Sequence, residues 1–324
     1  MGAVVLASAA PVAYVTGFAL FKTTAGRMPV LSGARPLQLT RQLALNPVWL
    51  FGLVTILSGL VVQSIVMTEL PVRRVVPMYG PVIVILLLVS VGNFGERVPR
   101  GLWKALLVLL LAMLAFAAAG DLLSGEAPPR SPGTWDAGVP LWRLGLVVAP
   151  SLLIPLWLFT VRDKPEGRHA RRVTGVAFGM GAGLLVGCAE SSGASIAHLI
   201  RDHPYGWEPL LRTPHPYVVV VAGLTGLALA QIGLQRCRLS VVILVLAVGS
   251  KASLWLTGIL VYGQPWPQTP GKFLLSGVGL VLAAGSVLLL PRNEPEGATA
   301  EAAAGAEAPH VGQHRKAGGQ VTVS

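Results

Sequence analysis

The chain has few charged residues, and this scarcity limits what kind of protein it can be. Only 12% of its 324 residues are charged, whereas 53% are hydrophobic. About 25% of the residues in a soluble globular domain are charged, and a disordered chain combines low hydrophobicity with high net charge. The composition therefore excludes both classes and predicts a membrane protein.

Cysteine and the common catalytic motifs are scarce as well. The two cysteines, Cys188 and Cys237, are too few for a disulfide framework or a zinc site. The sequence contains no Walker phosphate loop and no GxSxG, HExxH or CxxC motif. We therefore expect neither an ATP-driven motor nor an enzyme, and we expect no metal and no cofactor.

Acidic residues are outnumbered by basic ones, 14 against 25, which gives a net charge of +11. In a soluble protein this balance would indicate nucleic acid, but here the basic residues stand in short segments between apolar stretches. Basic residues in such loops mark the cytoplasmic side of a membrane. With the N-terminus outside, 17 of them fall inside and 7 outside. The charge distribution predicts an N-out, C-in topology and no nucleic-acid partner.

Apolar stretches recur along the chain at about 20 residues each, the length of a helix that crosses the hydrocarbon core of a bilayer. We predict an all-α polytopic membrane protein with about nine transmembrane helices. The first stretch is interpreted as a retained helix rather than a signal peptide, because its basic residues follow it. Residues 292–324, rich in Ala, Gly, Glu and Pro, are predicted to form a disordered cytoplasmic tail. The predicted spans are 3–21, 47–67, 75–93, 103–123, 143–161, 173–198, 216–235, 239–262 and 273–290.

An internal repeat is indicated by two short motifs that lie 168 residues apart. Gly95-Glu96 and Gly263-Gln264 each follow a long apolar span and precede the last helix of one half. The predicted topology puts the motifs on opposite faces of the membrane, so the repeats would be inverted, with a solute site near the midplane. This divides a transmembrane domain, 1–291, into a first repeat 1–123, a linker and linking helix 124–172, and a second repeat 173–291.

This pattern resembles the drug/metabolite transporter superfamily, whose halves often end in a Gly-Glu followed by a final helix. The nine-helix count and the gap after the first span look most like the NIPA-type magnesium transporter branch and its uncharacterised bacterial relatives. The resemblance covers residues 1–291 and implies a secondary transporter. Two positions depart from the family pattern: Gln264 replaces the motif's Glu, and Lys251 stands in a span that is largely apolar or acidic in relatives.

Two ionisable residues, Glu190 and Lys251, fall deep within predicted spans. A charge at the bilayer centre costs about 2.5–3.5 kcal/mol on insertion scales, so such residues usually face a cavity or each other. Ser191, Ser192 and Ser195 add hydroxyls that could bind a cation or a polar solute. We predict a substrate and coupling site formed by these five residues, with Glu190 able to exchange a proton. The alternative is a structural ion pair that joins two helices.

The predicted helix around Glu190 also carries glycines at intervals of four. Residues four apart lie on one face of a helix, and a face of small residues lets a neighbouring helix approach closely. We interpret this stripe as close packing within the monomer, with a dimer face as the alternative. The stripe consists of Gly175, Gly179, Gly183 and Gly187.

Other polar side chains in the spans could line a cavity or bind a neighbouring helix. They are Gln63, Ser64, Asn93, Gln231, Gln235 and Trp255.

Together these features favour a secondary transporter that moves a small polar or cationic solute by alternating access. One alternative is a non-transporting membrane subunit that binds a protein or lipid partner; another is a magnesium-type carrier or channel. The expected partners are membrane lipid, a small solute or cation, and a homodimer mate or partner subunit. Usage rich in Gly, Ala, Val and Arg is typical of a GC-rich bacterial source, in which the membrane would be the inner, cytoplasmic one.

Overall fold

A computed structural model describes most of the predicted transmembrane domain. Nearly all of the described residues are helical, and no strand occurs among them. The predicted tail 292–324 lies outside the described residues, as do the motif residues Gly95, Glu96, Gly263 and Gln264. The structure describes residues 2–26, 45–70, 75–94, 100–119, 141–160, 170–202, 208–261 and 269–289.

Each predicted span overlaps a helix of the structure. A turn of 3-10 helix, Val76–Met78, leads into the third helix, and a short helix, Glu208–Arg212, precedes the seventh. The sixth helix is the longest, at 33 residues, and extends past both predicted ends. The long helices are α1 Gly2–Ala25, α2 Pro47–Glu69, α3 Tyr79–Phe94, α4 Arg100–Ala119, α5 Leu141–Thr160, α6 Ala170–Asp202, α7 His215–Arg236, α8 Leu239–Leu260 and α9 Pro270–Leu288.

Six of these helices are long and apolar enough to cross a membrane: α2, α4, α6, α7, α8 and α9. Helix α3 is a shorter apolar helix. In lipid the backbone must pair its polar groups internally, which favours helices for such sequences. The prediction of an all-α protein is confirmed for the described residues, and their six long apolar helices suggest a multi-pass membrane protein. The count of nine crossings stays a prediction.

Prolines and an asparagine set where some helices begin. Pro47 opens α2, where the missing N–H of proline costs no helical hydrogen bond. The side chain of Asn46 accepts hydrogen bonds from the backbone N–H groups of Val48 and Trp49, both at 3.1 Å. Asn46 therefore satisfies donors that the first turn would leave open.

Helix α6 lies at the centre of the packing and contacts α2, α5, α7 and α8. Among the six long apolar helices, α8 is the most enclosed, because 89% of its apolar 18-residue stretch is buried inside the protein. The same measure is 17% for α9, so that helix presents most of its surface outward. The core of the protein is therefore built on α6 and α8, the two helices that carry the predicted charges.

Several of the helix contacts come in matched pairs. The α1–α2, α1–α3 and α3–α4 contacts have counterparts in α6–α7, α6–α8 and α8–α9. The contact of α2 with α6 is matched by that of α7 with α1, and α3 packs on α8 as α4 packs on α9. Two structurally similar halves, α1–α4 and α6–α9, would produce this pattern.

Candidate functional site

The structure brings Glu190 of α6 and Lys251 of α8 together as a buried ion pair. The Lys251 Nζ donates a hydrogen bond to the Glu190 Oε2 over 2.7 Å. Only 1% of Glu190 and 4% of Lys251 is exposed. In such surroundings the attraction between the charges is strong, but each charge has lost its hydration.

Close approach of the α6 and α8 backbones makes this pairing possible. A Cβ added at Gly183 would collide with the carbonyl oxygen of Leu246, and one added at Gly187 would collide with that of Ser250. On the other side of the contact, a Cβ at Gly249 would lie 3.1 Å from the Met180 carbonyl oxygen. Glycine is therefore required at the contact, because any side chain would separate the two helices.

The predicted glycine stripe faces α8 where its surroundings are described. A Cβ at Gly179 would lie 3.4 Å from the Val242 carbonyl oxygen, an ordinary contact. Gly183 and Gly187 continue the same contact toward Glu190, whereas the surroundings of Gly175 lie outside the described residues. These three glycines pack within the monomer.

An aromatic ring forms the other wall of the ammonium site. The Lys251 Nζ lies 3.6 Å from the centroid of the Tyr79 ring, at the start of α3. A cation over the face of an aromatic ring is attracted by its quadrupole, more strongly when water is excluded. Tyr79 stacks in turn on Tyr14 of α1, with ring centroids 6.4 Å apart. Four helices, α1, α3, α6 and α8, therefore meet around one pair of charges.

The tyrosine hydroxyls are part of this cluster. Tyr14 and Tyr79 are 8% and 6% exposed, and the Tyr79 hydroxyl has no hydrogen-bond partner in the described part of the chain. The Tyr14 hydroxyl is near enough to the Glu190 carboxylate for the two groups to interact electrostatically. Neither Tyr14 nor Tyr79 was predicted from the sequence as a site residue, although a tyrosine in an apolar span could have indicated one.

The predicted serines are all buried next to Glu190. The Ser191 hydroxyl donates to the Cys188 carbonyl oxygen over 2.9 Å, and the Ser195 hydroxyl donates to the Ser191 carbonyl oxygen over 3.3 Å. Such bonds satisfy a hydroxyl within its own helix. The Ser192 hydroxyl has no hydrogen-bond partner among the residues that the structure describes. None of the three serines is among the residues that line the cavity next to Glu190, so the structure does not bring them together with Glu190 in one solute site.

A cavity of about 40 Å³ adjoins the ion pair. Tyr14, Tyr79, Glu190 and Ser250 are among the residues that line it, and nearly all of the lining surface is apolar. Glu190 is the one charged side chain in this lining. A water molecule needs about 10–15 Å³ of such space, so the cavity holds a few waters or a very small solute in this conformation.

The site does not have the ligands of a typical metal centre. The described residues contain no group of three or more His, Cys, Asp or Glu side chains positioned to hold a metal ion. Magnesium and calcium prefer about six or more oxygen ligands, whereas this site supplies one carboxylate.

Two further contacts join helices of the first half, α1–α4, to helices of the second half, α6–α9, one near each predicted face of the membrane. At the predicted outer face, Arg201 of α6 pairs with Glu69 of α2 over 2.7 Å, and both side chains are about half exposed, at 48% and 51%. At the predicted inner face, the Lys22 Nζ of α1 donates to the Leu234 and Cys237 carbonyl oxygens at the end of α7, over 3.1 and 3.0 Å. We call these contacts the outer latch and the inner latch.

No family model, curated protein or solved structure matches this chain. The resemblance to drug/metabolite transporters therefore rests on the sequence pattern. The function must be argued from the site itself.

Proposed function

We propose that this protein is a secondary transporter that moves a small polar or cationic solute across the cytoplasmic membrane of a bacterium. The solute would bind beside Glu190, between the two halves of the protein. The observation that carries this proposal is the buried Glu190–Lys251 pair, which adjoins a cavity where four helices meet.

The energetics of the pair favour a functional role. A charge at the centre of a bilayer is costly, and hydrophobic residues of similar size often stabilise a protein as well as a buried pair does. A pair that served stability alone would need no space around it, yet the cavity reaches Glu190. Buried charges beside a cavity are typical of solute and ion pathways in membrane proteins.

The arrangement of the helices supports alternating access. The matched contacts fit two repeats, α1–α4 and α6–α9, on either side of a linking helix, α5. In transporters built from inverted repeats, one repeat rocks against the other around a site near the midplane. The latches join α2 to α6 at one end and α1 to α7 at the other. Opening one latch while the other stays closed would expose the site to one side at a time.

The proposal can be tested by transport assays in proteoliposomes. Solid-supported membrane currents and tracer uptake would be measured for magnesium, organic amines, amino acids and nucleosides. Wild type would be compared with Glu190→Gln and with Glu208→Gln, a control at an exposed acidic residue. We expect a solute that is transported by wild type and by the control and that is not transported by Glu190→Gln.

Other outcomes would change the interpretation. Equal transport by wild type and a folded Glu190→Gln would leave the pair a structural role. A lack of transport for every solute would favour a non-transporting membrane subunit.

A further inference from the structure

We infer that Glu190 and Tyr79 form a receptor for an organic ammonium ion and that Lys251 is its built-in occupant, which a solute ammonium must displace. This inference rests on the proposed transport function and names its substrate class. It also gives Lys251 a role beyond pairing with Glu190.

The contacts of Lys251 are those by which proteins recognise ammonium groups. The Nζ has a carboxylate oxygen at 2.7 Å and an aromatic face at 3.6 Å. Charge-assisted hydrogen bonds and cation–π contacts are the usual means of binding amines. A lysine ammonium is a compact charge on a flexible four-carbon stem, so it can leave such a site without any movement of the backbone.

The cavity provides space for a competing cation beside Glu190. It opens onto Glu190 and the rings of Tyr14 and Tyr79, and its lining contains no basic side chain. A cation that entered would lie beside Glu190 and the aromatic rings, where it would compete with the Lys251 ammonium. The small volume limits the solute in this conformation to a short amine.

Competition between Lys251 and the solute for Glu190 explains how a carrier without solute could turn its binding site back to the face where it takes up solute. An unpaired Glu190 would make reorientation costly, because a lone charge would move through a water-poor core. With Lys251 on Glu190 the pair is neutral and the unloaded carrier can reorient. With a solute ammonium on Glu190 the loaded carrier can do the same once the displaced Lys251 ammonium has released its proton to water, because an unpaired lysine cation in the core would be as costly as an unpaired carboxylate. Lys251 therefore does the task that a coupling ion performs in other carriers.

The first test is binding of n-propylammonium, which matches the part of the lysine side chain that Lys251→Ala removes. Melting temperatures would be measured in n-propylammonium chloride and in sodium chloride at equal ionic strength. We expect n-propylammonium to raise the melting temperature of Lys251→Ala on the order of 5 °C at saturation. Wild type should respond less because Lys251 competes for the site. The exposed Lys104→Ala control should behave as wild type does.

The double variant Glu190→Gln/Lys251→Ala locates the binding. It should show no difference between n-propylammonium and sodium, because the carboxylate is gone. A folded Lys251→Ala that n-propylammonium does not stabilise would overturn the inference, as would equal stabilisation of the double variant. If Lys251→Ala folds in neither salt, wild type decides: saturable binding that Glu190→Gln removes is expected, and no binding overturns the inference.

The second test compares net uptake with exchange of n-propylammonium, using Lys251→Met. Exchange needs only the loaded carrier, whereas net uptake also needs the unloaded carrier to return. We expect Lys251→Met to lose net uptake by about 100-fold and to keep exchange. Equal loss of both activities in folded protein would contradict the role of Lys251 as the internal cation.

The tests separate this inference from the proposed function. If n-propylammonium binds Lys251→Ala but wild type transports no solute, the ammonium site stands and the transport proposal fails. If wild type transports a solute through Glu190 but n-propylammonium does not bind, the transporter stands and the ammonium receptor fails.

Discussion

Gln63 of α2 and Gln231 of α7 lie 168 residues apart, and both are completely buried. Neither amide has a hydrogen-bond partner at its oxygen or its nitrogen within the described part of the chain. The spacing equals that of Gly95 and Gly263, and α2 and α7 occupy matching places in the contact pattern. We propose that these glutamines occupy equivalent positions in the two repeats.

We expect replacement of the buried glutamines to have opposite effects on thermal stability and on the rate of transport. An unsatisfied buried polar group costs about 1–3 kcal/mol, so Gln63→Met and Gln231→Met should leave the melting temperature unchanged or raise it. If the amides bind the solute on its path, the same variants should transport more slowly. Thermal unfolding and tracer uptake would measure both effects, with Ser58→Ala at an exposed position of α2 as the control. A large loss of stability would contradict the absence of partners.

Because α6 and α8 are in close contact at Gly187, we expect a single added methyl group there to lower the stability of the protein. Gly187→Ala should force the helices apart at Ser250, and overpacking of this kind costs about 1–3 kcal/mol. The matched control is Gly223→Ala in α7, where no atom lies within 4 Å of an added Cβ. Thermal unfolding should separate the two variants. Equal melting temperatures would mean that the helices are not in close contact at Gly187.

We expect removal of one charge of the ion pair to destabilise the protein more than removal of both. Lys251→Met leaves the Glu190 charge buried and uncompensated, which costs about 3–5 kcal/mol. The double variant Glu190→Gln/Lys251→Met contains no such charge, and its melting temperature should return close to that of wild type. It should remain inactive in transport. Recovery of both stability and transport would show that the solute does not need the pair.

The latches predict opposite shifts in access to the cavity. Arg201→Met should favour opening at the outer face and Lys22→Met at the inner face. The exposed Arg201–Glu69 pair contributes about 0.2–1 kcal/mol, so its loss should shift access up to about fivefold. Hydrogen bonds of a charged group contribute about 1.5–3 kcal/mol, so loss of the partly buried Lys22 contacts should shift access by about tenfold or more. The readout is the rate at which a thiol reagent added at one face of the membrane labels a cysteine introduced at Ser250. The protein used for this measurement lacks its native cysteines. Arg212→Met, which breaks an exposed pair within one short helix, is the control. Shifts in the same direction would refute the latches.

Hydropathy predicted the helices well because the length and apolarity of a span are properties of the local sequence. Glu190 and Lys251 could be singled out for the same reason, since a charge in an apolar stretch is costly wherever it pairs. Pro47 likewise marked the start of a helix.

Contacts between helices could not be predicted in the same way. The position of Tyr79 over Lys251 depends on how α3 and α8 are rotated, and an apolar helix surrounded by apolar surfaces has little periodicity to reveal its rotation. The glycine stripe indicated close packing but not that α8 would be the partner. Gln63 and Gln231 have the same 168-residue spacing as Gly95 and Gly263, and this spacing was present in the sequence. The burial of the two glutamines became evident only in the structure.

The order of the two charges along the chain has a consequence for biosynthesis. Glu190 is translated 61 residues before Lys251, so α6 leaves the ribosome first. When α8 follows, its lysine can find a carboxylate already present in the membrane, which reduces the cost of inserting a charged helix. Helix α6 would thus act as a template for the insertion of α8. A truncated nascent chain that ends before α8 would hold an unpaired acidic residue, a feature that quality-control proteases of the membrane could recognise.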